Sequence, residues 1–348
     1  PPPPPPPFGV FPGVVRSSSS GDGRGLRFDS LFAYVTRRIL ATIPLLLIAL
    51  YLVHVGVSTT TDPRAPFYTC LPRCQEGFDA ITEQYNLDQS IWIRPFGWFG
   101  RALQGDLGFS EAFGQPVTEI LWDRGVNTAM IAIPAFVVGT VLALLLSVYS
   151  ARRQYTFGDY FFTGLSFFGI AFPSFVLALL LQHIFGVRLE DWFGIKPFNT
   201  GRKTGENLLE LARDVTLPAT SLMILGIAAD SRFGRASMLE TLNQDYIRTA
   251  RAKGVPERRV VWKHGLRNAL IPLVTLWALN LSGLLGGAVV TESIFSWPGL
   301  GPAFLQALGK PDLDLLLGYV MLTGVIVIVF NLVADILYGI LDPRIRFD

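Results

Sequence analysis

The chain has 348 residues, half of them hydrophobic and 16% charged, with a formal net charge of +2. Soluble domains carry about 25% charged residues, so this composition excludes an ordinary soluble fold and points to a membrane protein. The net charge excludes nothing, because the charges are unevenly placed along the chain.

Residues 1–30 open with seven prolines and continue in Gly, Ser and a few charges. The proline run favours an extended polyproline conformation, and the rest has too few apolar groups to fold alone. Composition favours an unstructured leader over a partner-binding tail. Thr36-Arg37-Arg38-Ile39-Leu40 then precedes the first apolar run, 39–57. A twin-arginine export signal is set aside. The run of about 19 residues crosses a bilayer at 1.5 Å per residue, and it lacks a small-residue cleavage site. Arg37 and Arg38 instead hold the N-terminus on the cytoplasmic side.

Residues 58–126 form a long polar and aromatic outer loop that contains both cysteines, Cys70 and Cys74. In an oxidising compartment the pair forms a small disulfide if the backbone bends enough; otherwise both stay free. Two cysteines are too few ligands for a zinc site. The next spans are predicted at about 129–149 and 161–185. Pro134 and Pro173 lie inside them, and neighbouring helices are expected to satisfy the backbone groups they free.

Residues 186–214 carry five basic and five acidic side chains. The fourth run is the weakest: it holds Pro218 and meets Asp230 and Arg232 at its end. It is assigned as a span over about 215–235 because parity requires it. The segment 231–267 has nine Lys/Arg against three acids, and such loops stay inside. Spans at about 269–291 and 315–341 complete six, with a cytoplasmic loop at 236–268 and both termini inside. Phe295-Ser296-Trp297-Pro298-Gly299-Leu300-Gly301 reads as a tight turn at the outer interface, where Trp is enriched.

The cytoplasmic loop is the most informative stretch. In NQDYIRTARAKGVPERRVVWKHGLRNALIP, residues 243–272, Asn243 or Asp245 is placed to cap a short helix. Gly254 suits the left-handed position that ends one, and Pro256 suits the first turn of the next. Tyr246, Ile247 and Ala250 share one narrow apolar face. In the fifth span Ser282, Gly283, Gly286 and Gly287 make two overlapping small-xxx-small pairs, for packing within the chain or against another subunit. Glu292 and Asp335 are the ionisable residues noted within spans, each placed near an interface in a solvated or helix-terminal role.

No nucleotide-binding loop is present: Gly194 to Gly201-Arg202-Lys203-Thr204 has the wrong spacing. His54, His183 and His264 are far apart and read as packing residues rather than metal ligands. No Ser–His–Asp grouping can be assembled. The basic loop lacks the interleaved aromatics of single-strand binders, so nucleic acid is not expected.

TARAKG at 249–254 and ERRVVWKHGLRNALIP at 257–272 resemble the docking loop of ABC importer permeases, in the oligopeptide and dipeptide branch. Arg248 and Thr249 stand where the general pattern has an acid and an alanine, and the spacing from Gly254 to Pro272 is longer, as in that branch. The turn at 295–301 and Asp342-Pro343-Arg344-Ile345-Arg346 are similar to the same branch, so the resemblance covers 31–348. It implies an all-α, six-span permease of the bacterial inner membrane that imports peptides and is not itself an enzyme. Nickel or glutathione permeases of the same branch are the alternatives, with a gated channel further off.

The implied docking helix is Asp245, Tyr246, Ile247, Arg248, Thr249, Ala250, Arg251, Ala252, Lys253 and Gly254. The implied partners are a second permease, two ATPase subunits (or one fused), an extracytoplasmic peptide-binding protein and membrane lipid. No cofactor is expected on this chain; ATP and Mg are expected on the ATPases.

Overall fold

The computed structural model describes residues 25–341 apart from 61, 71, 196, 200–206, 287 and 311. Gly287, the proline-rich start at 1–24 and the basic tail at 342–348 lie outside the described residues. Helix α1, Gly25–Thr60, begins within the stretch assigned to the leader and carries Pro44 without breaking.

The predicted outer loop is folded. After a 3₁₀ turn at Ala65–Thr69 come α2 (Gln75–Gln84), α3 (Arg94–Ala102) and a two-residue antiparallel pair, β1 (Phe109–Ser110) with β2 (Gln115–Pro116). Ile81, Tyr85, Leu87, Trp98 and Leu107 form its core, continuous with Leu50 of α1 and Leu313–Leu317 at the start of the last helix. The structure joins Cys70 to Cys74, with Cα atoms 5.6 Å apart.

Helix α4, Val117–Arg152, begins well before the expected 129 and absorbs Pro134. Pro173 behaves differently. Helices α5 (Phe157–Ala171) and α6 (Ser174–Leu181) meet at 104°, so the expected straight span 161–185 is broken. Pro disfavours the helical region for the residue before it, and here Phe172 is extended at φ −79°, ψ 125°. The chain continues through a wide helical turn at Gln182–Arg188 into α7, Leu189–Phe193, which closes on Gly194 at φ +63°.

The weakest predicted span is a full helix, α8, Leu208–Leu242, with Pro218 inside it. Helix α9 is Asp245–Ala252 and α10 is Glu257–Arg259. A widened turn at Val260–Gly265 leads into α11, Leu266–Leu285. Helix α12 (Val289–Ile294) is separated from α11 by a break, α13 (Leu300–Gly309) follows the turn, and α14 is Leu313–Leu341. Glu292 therefore sits in a short helix past that break, at the end of the membrane-length stretch Glu257–Ile294 that holds the fifth span.

Among the described residues, five helical stretches are long and apolar enough to cross a membrane, and six if the bent α5–α6–α7 segment counts as one. The architecture is an all-α membrane bundle in which α4 lies along α8, α11 along α14, and α1 along α14.

Candidate functional site

The basic loop folds as a bracket. Helix α9 is entered through Gln244 at φ −71°, ψ 150°, with no side-chain cap; neither Asn243 nor Asp245 takes that role. Asp245 instead sits in the first turn, where the helix dipole favours an acid. The exit follows expectation. Gly254 is left-handed at φ +72°. Its N–H donates to the Arg251 carbonyl at 2.9 Å and that of Val255 to the Ala250 carbonyl at 3.2 Å. These two bonds are a Schellman closure, which satisfies the last carbonyls and turns the chain sharply. Pro256 is one residue outside the next helix rather than in its first turn.

The expected apolar face of α9 is split: Ile247 turns inward, Ala250 is half-buried and Tyr246 stays exposed. Ile247 is fully buried, and α9 packs on the widened turn 260–265, where Val260 and Val261 are also fully buried. A neighbouring core of Val148, Ala151, Met238, Leu242, Val261 and Ala269 joins α4, α8 and α11. Ile247 is thus an anchor within the chain. Asp245, Tyr246, Arg248, Thr249, Arg251, Ala252 and Lys253 are left exposed. The Tyr246 hydroxyl accepts from Asn268 Nδ2 at 2.6 Å. Arg251 grips Glu257 through two bonds of 3.1 and 2.9 Å, pinning α9 to α10.

Above the bracket the helices are tied by buried polar contacts that composition did not reveal. Arg235 of α8 donates twice, at 2.9 and 2.8 Å, to Asp159 of α5. Ser147 of α4 donates to the Ser231 carbonyl at 3.0 Å, and the Ser166 and Ser231 hydroxyls are 3.0 Å apart. Asp230 is buried within α8, and Asn280 of α11 donates to it at 3.3 Å. The signal for it in the sequence is an acid inside a span, which calls for a polar partner. Arg38 of α1 pairs with Asp335 of α14 at 2.7 Å, so Asp335 is an inter-helix tie.

At the other end of the bundle Glu292 is fully buried, so of its two expected roles, solvated or helix-terminal, the structure has the helix-terminal one. It accepts from Thr128 Oγ1 of α4 and from the Gly301 N–H, both at 2.7 Å, and so caps α13. Trp297, expected in the lipid interface, is fully buried, and its Nε1 donates to the Asn127 carbonyl at 2.8 Å. Gly299 and Gly301 lie so close to Glu292 that a Cβ on either would strike its carboxyl group. The small residues of α11 divide. Gly286 accepts from Tyr319 of α14 at 2.6 Å and approaches Thr323, whereas Gly283 is exposed with open space where a Cβ would stand. Ser282 is buried and bonds back to Ala278. Among the described residues no cluster of His, Cys, Asp and Glu is arranged to hold a metal ion.

Residues 139–347, from within α4 through the bracket to α14, match the family described as binding-protein-dependent transport system inner membrane component. The chain is 38% identical to the oligopeptide transport system permease protein AppB of Bacillus subtilis, over 90% of this chain and 99% of that one. It is 35% identical to the oligopeptide transport system permease protein OppB of Mycobacterium tuberculosis, over 90% and 98%. It is 33% identical to the glutathione transport system permease protein GsiC of Escherichia coli, over 90% and 99%. With the match running through the bracket and the helices that carry it, this chain belongs to the family of inner membrane components of binding-protein-dependent transport systems.

Proposed function

We propose that the chain is one half of the translocation path of an ATP-driven peptide importer, and that α9 is the lever through which separate ATPase subunits move it. The observation that carries this is the bracket: a short helix with a polar outer side, anchored through buried Ile247 on the turn 260–265 that leads into α11. In this reading the bracket and both termini face the cytoplasm, and residues 58–116 lie outside. A second permease of the same kind completes the path, two ATPase units hold ATP and Mg, and an extracytoplasmic binding protein delivers the cargo. This chain performs no hydrolysis. Peptide cargo is supported by the relatives named for oligopeptide transport at 38% and 35% identity. Glutathione, itself a short peptide-like thiol, is the second reading, favoured by the relative at 33%.

Closure of the ATPase pair would displace α9, and the displacement would reach the spans through the turn 260–265, whose Val261 packs with Met238 and Leu242. That is a two-state element biased from a distance. Two measurements test it. The complex copurified with this chain should hydrolyse ATP faster when loaded binding protein and short peptides are added. A Gly254→Val substitution should leave assembly intact and uncouple hydrolysis from uptake, because a β-branched residue resists φ +72°. Full transport by an assembled Gly254→Val complex would remove the lever role, and stimulation by glutathione alone would move the cargo to the second reading.

A further inference from the structure

Helix α3 is apolar on both sides, although it belongs to a domain outside the long spans. Its inner side, Pro95 and Trp98, is buried in the domain core. Its outer side carries Ile93, Phe96, Gly100 and Leu103 at helical spacing, with Trp92 just before, and all five are exposed. Leu103 reaches 90% and Phe96 61% exposure. The two cations of α3 do not make this side polar. Arg94 donates to the Leu87 carbonyl at 2.8 Å and the Gln89 carbonyl at 3.0 Å, and Arg101 pairs with buried Asp314 at 3.5 Å. A short helix with an apolar side in the domain core and a second apolar side exposed needs a non-aqueous cover on that second side as well.

What supplies that cover follows from the contact with α1. The Tyr51 hydroxyl donates to the Trp92 carbonyl at 3.3 Å, and the Tyr51 and Phe96 rings lie 6.1 Å apart. Tyr51 belongs to a membrane-spanning helix whose own exposed residues, Leu45, Ile48 and Leu52 among them, are apolar. The exposed stripe of α3 therefore continues the lipid-facing surface of α1.

The heights agree. The Arg38–Asp335 pair ties α1 to α14 at one level. Tyr51 is 13 residues further along α1, about 20 Å at the helical rise. Asp314 is 21 residues from Asp335 along α14, about 32 Å, close to the thickness of the hydrocarbon core. Helix α3 meets Tyr51 at its start and Asp314 at Arg101. The eight residues from Ile93 to Arg101 rise about 12 Å, which matches the difference between the two levels.

We propose that α3 is inserted in the outer leaflet, entering about 10 Å below the headgroups at Trp92 and Phe96 and emerging at Leu103. Its ligand is the acyl-chain region of the bilayer, and it fixes the outer domain against the membrane beside α1. The word outer rests on the sidedness proposed above; the insertion does not.

Nitroxide labels at Phe96→Cys, Leu103→Cys and Asp88→Cys test it in the full chain with its copurifying subunits, in vesicles of phosphatidylethanolamine and phosphatidylglycerol. The native cysteines are joined to each other and take no label. Collisions with oxygen and with a water-soluble nickel chelate report depth. The Phe96 label should favour oxygen strongly, the Leu103 label less, and the Asp88 label should favour nickel. Nickel access at position 96 equal to that at Asp88 overturns the proposal. So does shielding of position 96 from both reagents, which would mean that a protein subunit covers it. Sidedness is read separately, by membrane-impermeant maleimide on intact cells carrying Asp88→Cys. Failure to label there reverses the topology and leaves the depth result standing.

Discussion

Glu292 is the residue whose removal should cost the bundle most at the end opposite α9. Its carboxylate is fully buried and holds two donors, Thr128 Oγ1 and the Gly301 N–H, at 2.7 Å each. Thr128 in turn accepts from the Leu300 N–H at 2.9 Å, so the first turn of α13 depends on both residues. Glu292→Ala strands two buried donors at about 1–3 kcal/mol each and leaves a cavity. The expected loss is about 3–5 kcal/mol. Glu292→Gln keeps the shape: its carbonyl can serve Gly301 while its amide faces Thr128, so charge assistance and the acceptor of the Thr128 hydroxyl proton are lost, about 1–3 kcal/mol. Thermal unfolding in detergent, read as monodisperse protein remaining after heating, should rank wild type above Gln above Ala. The Ala variant should fall by several degrees, at about 2 °C per kcal/mol. Thr128→Val should be less than additive with Glu292→Ala, because both break one network. An Ala variant as stable as wild type, or a Gln variant worse than Ala, would refute the capping argument.

Arg235→Ala leaves Asp159 buried without its charge partner and should cost about 3–5 kcal/mol, with Arg235→Lys recovering part because the paired geometry is lost; the same heating assay ranks them. Gly108→Ala should destabilise the outer domain by about 2 kcal/mol or more, since Gly108 has φ +91° and a Cβ there strikes the Asp314 carboxylate; limited proteolysis between 58 and 116 reports it. Burial, and then the charge of Asp312, raise the Glu111 carboxyl above its ordinary range. The folded state therefore binds that proton more tightly than the unfolded one. Ionisation opposes folding above the raised value, and the penalty vanishes as pH falls below the unfolded value. Glu111→Gln should accordingly stabilise at neutral pH and make no difference at acidic pH, as melting curves at both would show.

The spans were legible because about 20 consecutive apolar residues have few other uses, and α9 was legible because Gly254 and Pro256 punctuate it. Sidedness of faces was not. Ile247 reads the same whether it enters a partner or its own chain, and only the packing against Val260 and Val261 decides. The prolines show a similar limit. Pro134 and Pro173 look alike in sequence, yet one sits in an unbroken helix and the other marks a 104° bend. Local chemistry permits the break at either site, and the folding of the rest of the bundle chooses. Trp297 and Glu292 were placed at an interface on hydropathy, which cannot see that Gly299 and Gly301 make room for a buried carboxylate.

A lever at one end of a membrane bundle is useful only if the bundle does not absorb its movement. Dry apolar contact between helices is a weak tie in lipid and fixes no register, since lipid-facing and helix-facing leucines are nearly equivalent. The hydrogen bonds between α4, α5, α8 and α11 supply what apolar packing lacks, because each fixes one register. Their positions are consistent with that use. Asp159–Arg235 and Ser147–Ser231 lie toward the bracket, Asp230–Asn280 lies within the spans, and Glu292–Thr128 closes the far end. Gly139 against Met223 and Gly169 against Ala228 bring the same backbones close between them. If α9 is the proposed lever, a push on it would move these four helices together; among the described residues the bend at Phe172–Pro173 shows no such bond between helices.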